Sequence, residues 1–315
     1  MPPAHSSQQS PIAAIAWPRE CCGVLLCWGL LIAMLPGCAA LRGNAESTQS
    51  VAARRLTRRG LEAMHAGRWN VAETMFSDAI EIVDANDQAH VGFAETLWHR
   101  GEHRQAIEQM ERALQISGDD PSISQRLGRM YLEMNWLAEA QVQCDIALKG
   151  NRNSADAWAL RGDCFAAADQ TRQALAAYHR ALALRPDSPE IQLAAAEVYQ
   201  RQGRFDRSLA TLDHLRDAMP ADGEPPKSHL MRGIALQSLG RPGEARTSFV
   251  MARETMPDST LPLEALVRLE ITEKRFAVAQ SLLDELDVRA PMTPGTMSLH
   301  QELAIHRDGT SVIRR

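Results

Sequence analysis

A pair of alanines seven residues apart recurs every 34 residues along this chain: Ala72 with Ala79, Ala106 with Ala113, Ala140 with Ala147, and Ala174 with Ala181. Ser208 and Leu215 take the next rung. After a shift of three residues the ladder resumes at Ala245 with Ala252, then Ala279 with Leu286. Seven residues is about two helical turns, so both members of a pair project from one face of one helix. A face kept small in unit after unit must approach another element closely. The fixed period also argues against one large central core, because repeated units bury their apolar faces only against their neighbours and stack into an elongated array.

Twelve residues upstream of the first six of these pairs stands another small residue: Gly60, Ala94, Gly128, Gly162, Ala196 or Gly233. It predicts a second helix and a small-against-small crossing within each unit. Gly67, Gly101, Asn135, Gly203 and Gly240 fall between the two segments, where a tight turn is needed. Each unit therefore reads as two antiparallel helices, with no strand pattern among them. The units begin at Ala53, Asp87, Pro121, Ala155, Pro189, Pro226 and Thr260, giving ranges 53–86, 87–120, 121–154, 155–188, 189–222, 226–259 and 260–293. Gly223, Glu224 and Pro225 are an insertion before the sixth unit and predict a bend or hinge there. In 294–315, Met297, Leu299, Leu303 and Ile305 have partial helical spacing and predict a helix that caps the open end of the stack, followed by a tail.

The order small, aromatic, small, large, small, Pro within a unit resembles the tetratricopeptide repeat. The fourth unit carries it most fully, with Trp158, Gly162, Phe165, Ala174, Tyr178, Ala181 and Pro186. The resemblance implies an all-α fold, a right-handed superhelix of about seven helix-turn-helix repeats, with the first helix of each repeat lining a concave groove. It also implies protein recognition in that groove, with no catalysis, cofactor or metal.

The first residues do not share the period. Gly23 to Leu35 is an uncharged apolar run of about 20 Å as a helix, short of the roughly 30 Å hydrocarbon core of a bilayer. Residues 1–37 therefore read as a signal peptide. Leu35, Pro36, Gly37 and Cys38 resemble the lipobox of bacterial lipoproteins, which implies lipidation of Cys38. With Ala39 next, the resemblance implies an outer-membrane anchor facing the periplasm; an inner-membrane anchor, an uncleaved membrane helix and an ordinary cleaved signal are the alternatives. Residues 38–52 are polar and aperiodic and predict a flexible tether.

A net charge of −5 in 315 residues argues against a nucleic-acid surface, which needs a clustered positive field. Past Cys38 only Cys144 and Cys164 remain, on surfaces that should face each other in the stack, so a disulfide between them is a candidate in an oxidising compartment. Spacings for a P-loop, a nucleophile elbow or a zinc protease are absent. His99 and His103 stand four apart, but Gly101 interrupts any helix between them, so they predict surface histidines and no metal.

Laying the family's groove offsets on this chain gives Trp98, Glu95 and Arg129 in the early repeats. Asp156, Asp163, Glu190 and Glu197 follow over the small residues Ala159, Ala166 and Ala167. Trp98 is either a binding anchor or a core side chain folded onto a neighbour. The four carboxylates predict an acidic recess for Arg or Lys side chains of a partner, against the plainer reading of a solvated charged face. Leu261 and Ile271 add an apolar stretch that would allow self-association. The function expected is a membrane-anchored scaffold in cell-envelope assembly. The alternative is a regulator of peptidoglycan synthases or hydrolases, or a glycan-binding factor.

Overall fold

A computed structural model of the chain describes residues 37–220, 223–291 and 293–312. The expected signal segment up to residue 36 lies outside them, as do the side chains of 37–47, Cys38 included. Fifteen helices and no strands make up the described residues. The seven pairs are α1 (Gly37–His65) with α2 (Trp69–Ile82), α3 (Asp87–His99) with α4 (His103–Ser117), α5 (Pro121–Glu133) with α6 (Leu137–Gly150), α7 (Ala155–Ala167) with α8 (Thr171–Leu184), α9 (Pro189–Arg201) with α10 (Phe205–Ala218), α11 (Pro226–Ser238) with α12 (Pro242–Thr255), and α13 (Leu261–Thr272) with α14 (Phe276–Arg289). A last helix, α15 (Pro294–Val312), covers the end.

Each pair turns on a left-handed residue at the same place in the unit. Gly67, Gly101, Gly203 and Gly240 do this at φ between 69 and 84°, and Asn135, Asp169 and Lys274 at φ between 56 and 59°. Asp169 and Lys274 were not foreseen as turn residues, and Lys274 has no short polar side chain to ease that conformation. At other helix starts the side chains of Asn86, Asp120 and Ser154 accept the free backbone N–H groups of the first turn.

The crossing inside a unit is not small against small. Gly60 faces the ring of Phe76, Gly162 that of Tyr178 and Gly233 that of Phe249, each so closely that a Cβ would overlap the ring. Where the same place holds Ala94 or Ala196, the matching second-helix residue is Met110 or Leu212. The two positions thus trade volume to keep one helix separation, as a close-packed interior requires. The alanine ladder serves the interface as expected: Ala72, Ala79, Ala106, Ala113, Ala140, Ala147, Ala174 and Ala181 are all at most 1% exposed.

A polar device joins successive repeats. In the second, fourth and fifth units the fourth residue bonds the carbonyl six places earlier, in the loop from the previous repeat: His90 Nε2 with Asp84 O at 2.8 Å, Trp158 Nε1 to Arg152 O at 2.9 Å, Gln192 Nε2 to Pro186 O at 2.7 Å. Those carbonyls would otherwise lack partners under the next helix.

Four further expectations need correction. Residues 38–52 are helical, because α1 runs unbroken from Gly37 to His65; Ala39, Ala40, Leu41, Arg42, Ala45 and Glu46 are all helix-permissive, and polarity alone does not break a helix. The insertion before α11 is tied down and does not read as a free hinge: Glu224 is buried with Arg232, 2.8 Å away, accepts from Ser228 Oγ at 2.7 Å, and Arg232 donates to Leu212 O at 2.8 Å. Ile271 is fully buried and so cannot offer an apolar groove surface, whereas Leu261 is 55% exposed. In α15 only Leu299 and Leu303, one turn apart, seal the end of the core; Met297 and Ile305 face outward, and the helix continues to Val312. Among the described residues, no helix is long and apolar enough to cross a membrane.

Candidate functional site

At most steps of the array successive first helices touch one another, whereas successive second helices stay apart, so the first helices form the inner side of the curve. Two recesses open on that side. One, of about 330 Å³, lies among α1, α3 and α5 and is lined by Leu61, Asp87, Val91, Ile123 and Arg126, among others. The other, of about 310 Å³, lies where α5, α7 and α9 approach one another, with Arg129, Asp156, Ala159, Asp163, Glu190 and Ala194 around it. A larger hollow of about 840 Å³ is an open furrow beside α8 and the C-terminal end of α9.

The second recess gathers most of the charges singled out by spacing, but with cations of its own. Arg185 holds Asp156 in a two-pronged pair at 2.7 and 2.9 Å. Lys227 holds Glu197 at 2.7 Å, and Ser188 donates to Glu190 at 2.8 Å. Asp163 is different. Tyr178 donates its hydroxyl to Asp163 Oδ1 at 2.7 Å, yet burial wins and pushes the carboxyl above its ordinary range, with the Arg129 charge working the other way. Burial beside that carboxylate also drives the Tyr178 phenol far up, so it stays a donor. Arg129 itself is exposed and makes no ion pair or hydrogen bond among the described residues. The recess is therefore of both signs: a free guanidinium on one wall, the desolvated Asp163 and the exposed Glu190 on the other. Sequence spacing brought these carboxylates to one place; it gave no sign that Arg185 and Lys227, 29 and 30 residues downstream of their partners, reach back to neutralise two of them.

In the earlier repeats Glu95 pairs with Arg126. Trp98 is half-buried against the cluster around α4 and α5, its ring 4.4 Å from that of His103. It packs as a core residue with one edge out. His99 stacks on Trp69 at 3.8 Å, so the two histidines lean on different tryptophans, and no group of metal-ligating side chains occurs among the described residues. Cys144 and Cys164 are free buried thiols with their sulfurs 3.8 Å apart.

Family models described as tetratricopeptide repeat match residues 57–121, 97–164 and 165–225, together more than half of the chain. Among curated proteins, the BBSome complex member BBS4 of Bos taurus is 23% identical over 199 residues, covering 63% of this chain and 38% of that relative, so the chain spans well under half the length of the relative. Among solved structures, PilW, described as a widely conserved type IV pilus biogenesis factor, superposes with a TM-score of 0.63 at 21% identity over 68% of this chain and 98% of its own. Pseudomonas aeruginosa pilF does so with a TM-score of 0.60 at 17% identity over 69% and 97%. At such identities these two likenesses speak to the fold.

Proposed function

The chain belongs to the tetratricopeptide repeat family, whose arrays are scaffolds for protein interaction, and from that premise we propose that the recess among α5, α7 and α9 holds a segment of a partner polypeptide. The observation that carries this is Arg129, a guanidinium left without a partner on the inner curve, opposite a carboxylate held in a desolvated setting. Such a pair of opposite charges orients a chain that presents an acidic side chain to one wall and donors to the other. A glycan is the weaker occupant, because the recess offers no exposed ring to a sugar face: Tyr178, its one aromatic lining residue, is buried and hydrogen-bonded to Asp163. The array acts by binding, without chemistry of its own.

The setting proposed is the cell envelope of a bacterium, with the chain lipidated at Cys38 and held at the outer membrane. The apolar run ending in Leu35, Pro36, Gly37, Cys38 supports this, and the likeness to the pilus biogenesis factors agrees with it. Cys38→Ser is expected to move the chain out of the membrane fraction, and an unchanged fractionation would contradict the anchor. For the recess, Arg129→Glu should weaken retention of the co-purifying partner about tenfold with helicity unchanged, while Arg172→Glu on the outer side of α8 leaves it intact. Equal retention in both variants would remove the recess from the binding surface.

A further inference from the structure

Repeat three departs from its neighbours at one core position. The second-helix residue at the crossing with the first helix is Phe76, Met110, Tyr178, Leu212, Phe249 and Leu283 in the other six units, and Cys144 in this one. It lies opposite Gly128, in a unit where a large side chain would have fitted the usual exchange of volume; the space is taken from outside by Leu160 of the next repeat and by Gln143. The side chain that reaches Cys144 is Cys164 of α7. The sulfurs stand 3.8 Å apart, the two residues are 1% and 0% exposed, and both belong to the same core cluster. No other cysteine follows residue 38.

We propose that Cys144 and Cys164 are a modification site that closes as a disulfide, stapling repeat three to repeat four beneath the floor of the recess. A disulfide needs its sulfurs about 2.05 Å apart, so the pair in contact must move by less than about 2 Å, within reach of side-chain rotation. Either sulfur can be the donor in that contact, and before the helices dock either thiol can attack first; the chemistry is the same with Cys164 taken as the first nucleophile. Its thiolate attacks one sulfur of an external disulfide, an oxidised thiol oxidoreductase or oxidised glutathione, and expels the other sulfur as thiolate. Cys144, deprotonated in its turn, attacks the Cys164 sulfur of the mixed disulfide and expels the second. The chain loses two electrons, the external disulfide becomes two thiols, and the two protons end on those thiols.

Burial fixes the order of events. Neither sulfur is open to an oxidant in the folded array, so exchange takes place before α7 docks on α6, and the closed bridge is then shielded from reductant. It is a staple made during folding and not a switch. Its placement matters for the groove, since Cys164 follows Asp163 directly and Arg129 lies close enough to act on both. The staple stands apart from the binding proposal, because it forms whether or not the recess is occupied.

The test is to refold the full chain in a mixture of oxidised and reduced glutathione, alkylate the remaining thiols under denaturing conditions, and map the peptides. The expected result is one cross-linked pair, Cys144 with Cys164. The melting midpoint should fall by about 5–10 °C when the same chain is refolded in excess reductant, and Cys144→Ser should show no such dependence on reductant. Alkylation of both residues, or bridges from either to Cys21, Cys22, Cys27 or Cys38, would overturn the proposal. Should Cys144→Ser fail to fold, the peptide map of the unaltered chain decides alone.

Discussion

Many single residues in this array answer to one of two constraints, a backbone angle or a volume across the interface. Lys274 sits exposed at φ 57° where four sister repeats use glycine. Lys274→Gly should raise stability by about 0.5–1 kcal/mol in chemical denaturation, since relief of the left-handed strain outweighs the added freedom of the unfolded chain. Asp163 answers to neither constraint. Its folded pKa is raised by burial, so the carboxyl favours folding while protonated and loses that contribution as pH rises through the folded value. Asp163→Asn keeps an acceptor for Tyr178 and should be more stable than the parent chain at pH 7, with the gain shrinking as pH falls toward the ordinary carboxylate range. A gain independent of pH would contradict this assignment. The turn glycines were legible in the sequence because glycine announces itself; Asp169 and Lys274 were not, because only their place in the period marks them. The pairing of glycine with an aromatic ring was also missed. It appears when two columns of the repeat are read together, Gly60 with Phe76 against Ala94 with Met110, and stays hidden when each column is read alone.

Helices here owe their order to the neighbours they cover, and the array shows this at its end and at its insertion. Leu299 is fully buried against Leu263, Val267, Ile271 and Leu283. Leu299→Asp puts an unpaired charge into that contact, and hydrogen exchange should show α13 to α15 losing protection while α1 to α10 keep theirs, because each repeat is coupled only to the next. Uniform loss along the chain would mean a single cooperative unit instead. The capping helix was readable from its apolar spacing, although half of the residues that suggested it face outward. The insertion was readable as extra length, yet its fate was not: Glu224 and Arg232 are charged residues eight apart in sequence, and nothing short of packing shows that they are buried together. The same limit explains α1. Composition suggested a tether, but a polar stretch with few breakers is as compatible with helix as with coil.

Across the whole molecule, periodicity carried the fold and nearly nothing else could have. The 34-residue ladder located the two helices of each unit and the direction in which they stack. It also placed Asp156, Asp163 and Glu190 around one recess, because equal offsets in equal units fall on the same side of the curve. What the ladder cannot show is which charges are spent. Arg185 and Lys227 reach back from the following loop and helix, and their reach depends on the small distance between first helices on the inner side. The recess that results is bipolar where spacing alone suggested an acidic one, and Arg129 becomes its distinguishing group. Binding on the inner curve can be tested directly by placing a photo-crosslinking amino acid in intact cells at Ala194, on the rim of the recess, and separately at Ala176, exposed on the outer side of α8. A polypeptide adduct that forms from position 194, is absent from position 176 and is lost on adding Arg129→Glu is the predicted result; equal adducts from both positions, or an adduct indifferent to Arg129, would contradict it.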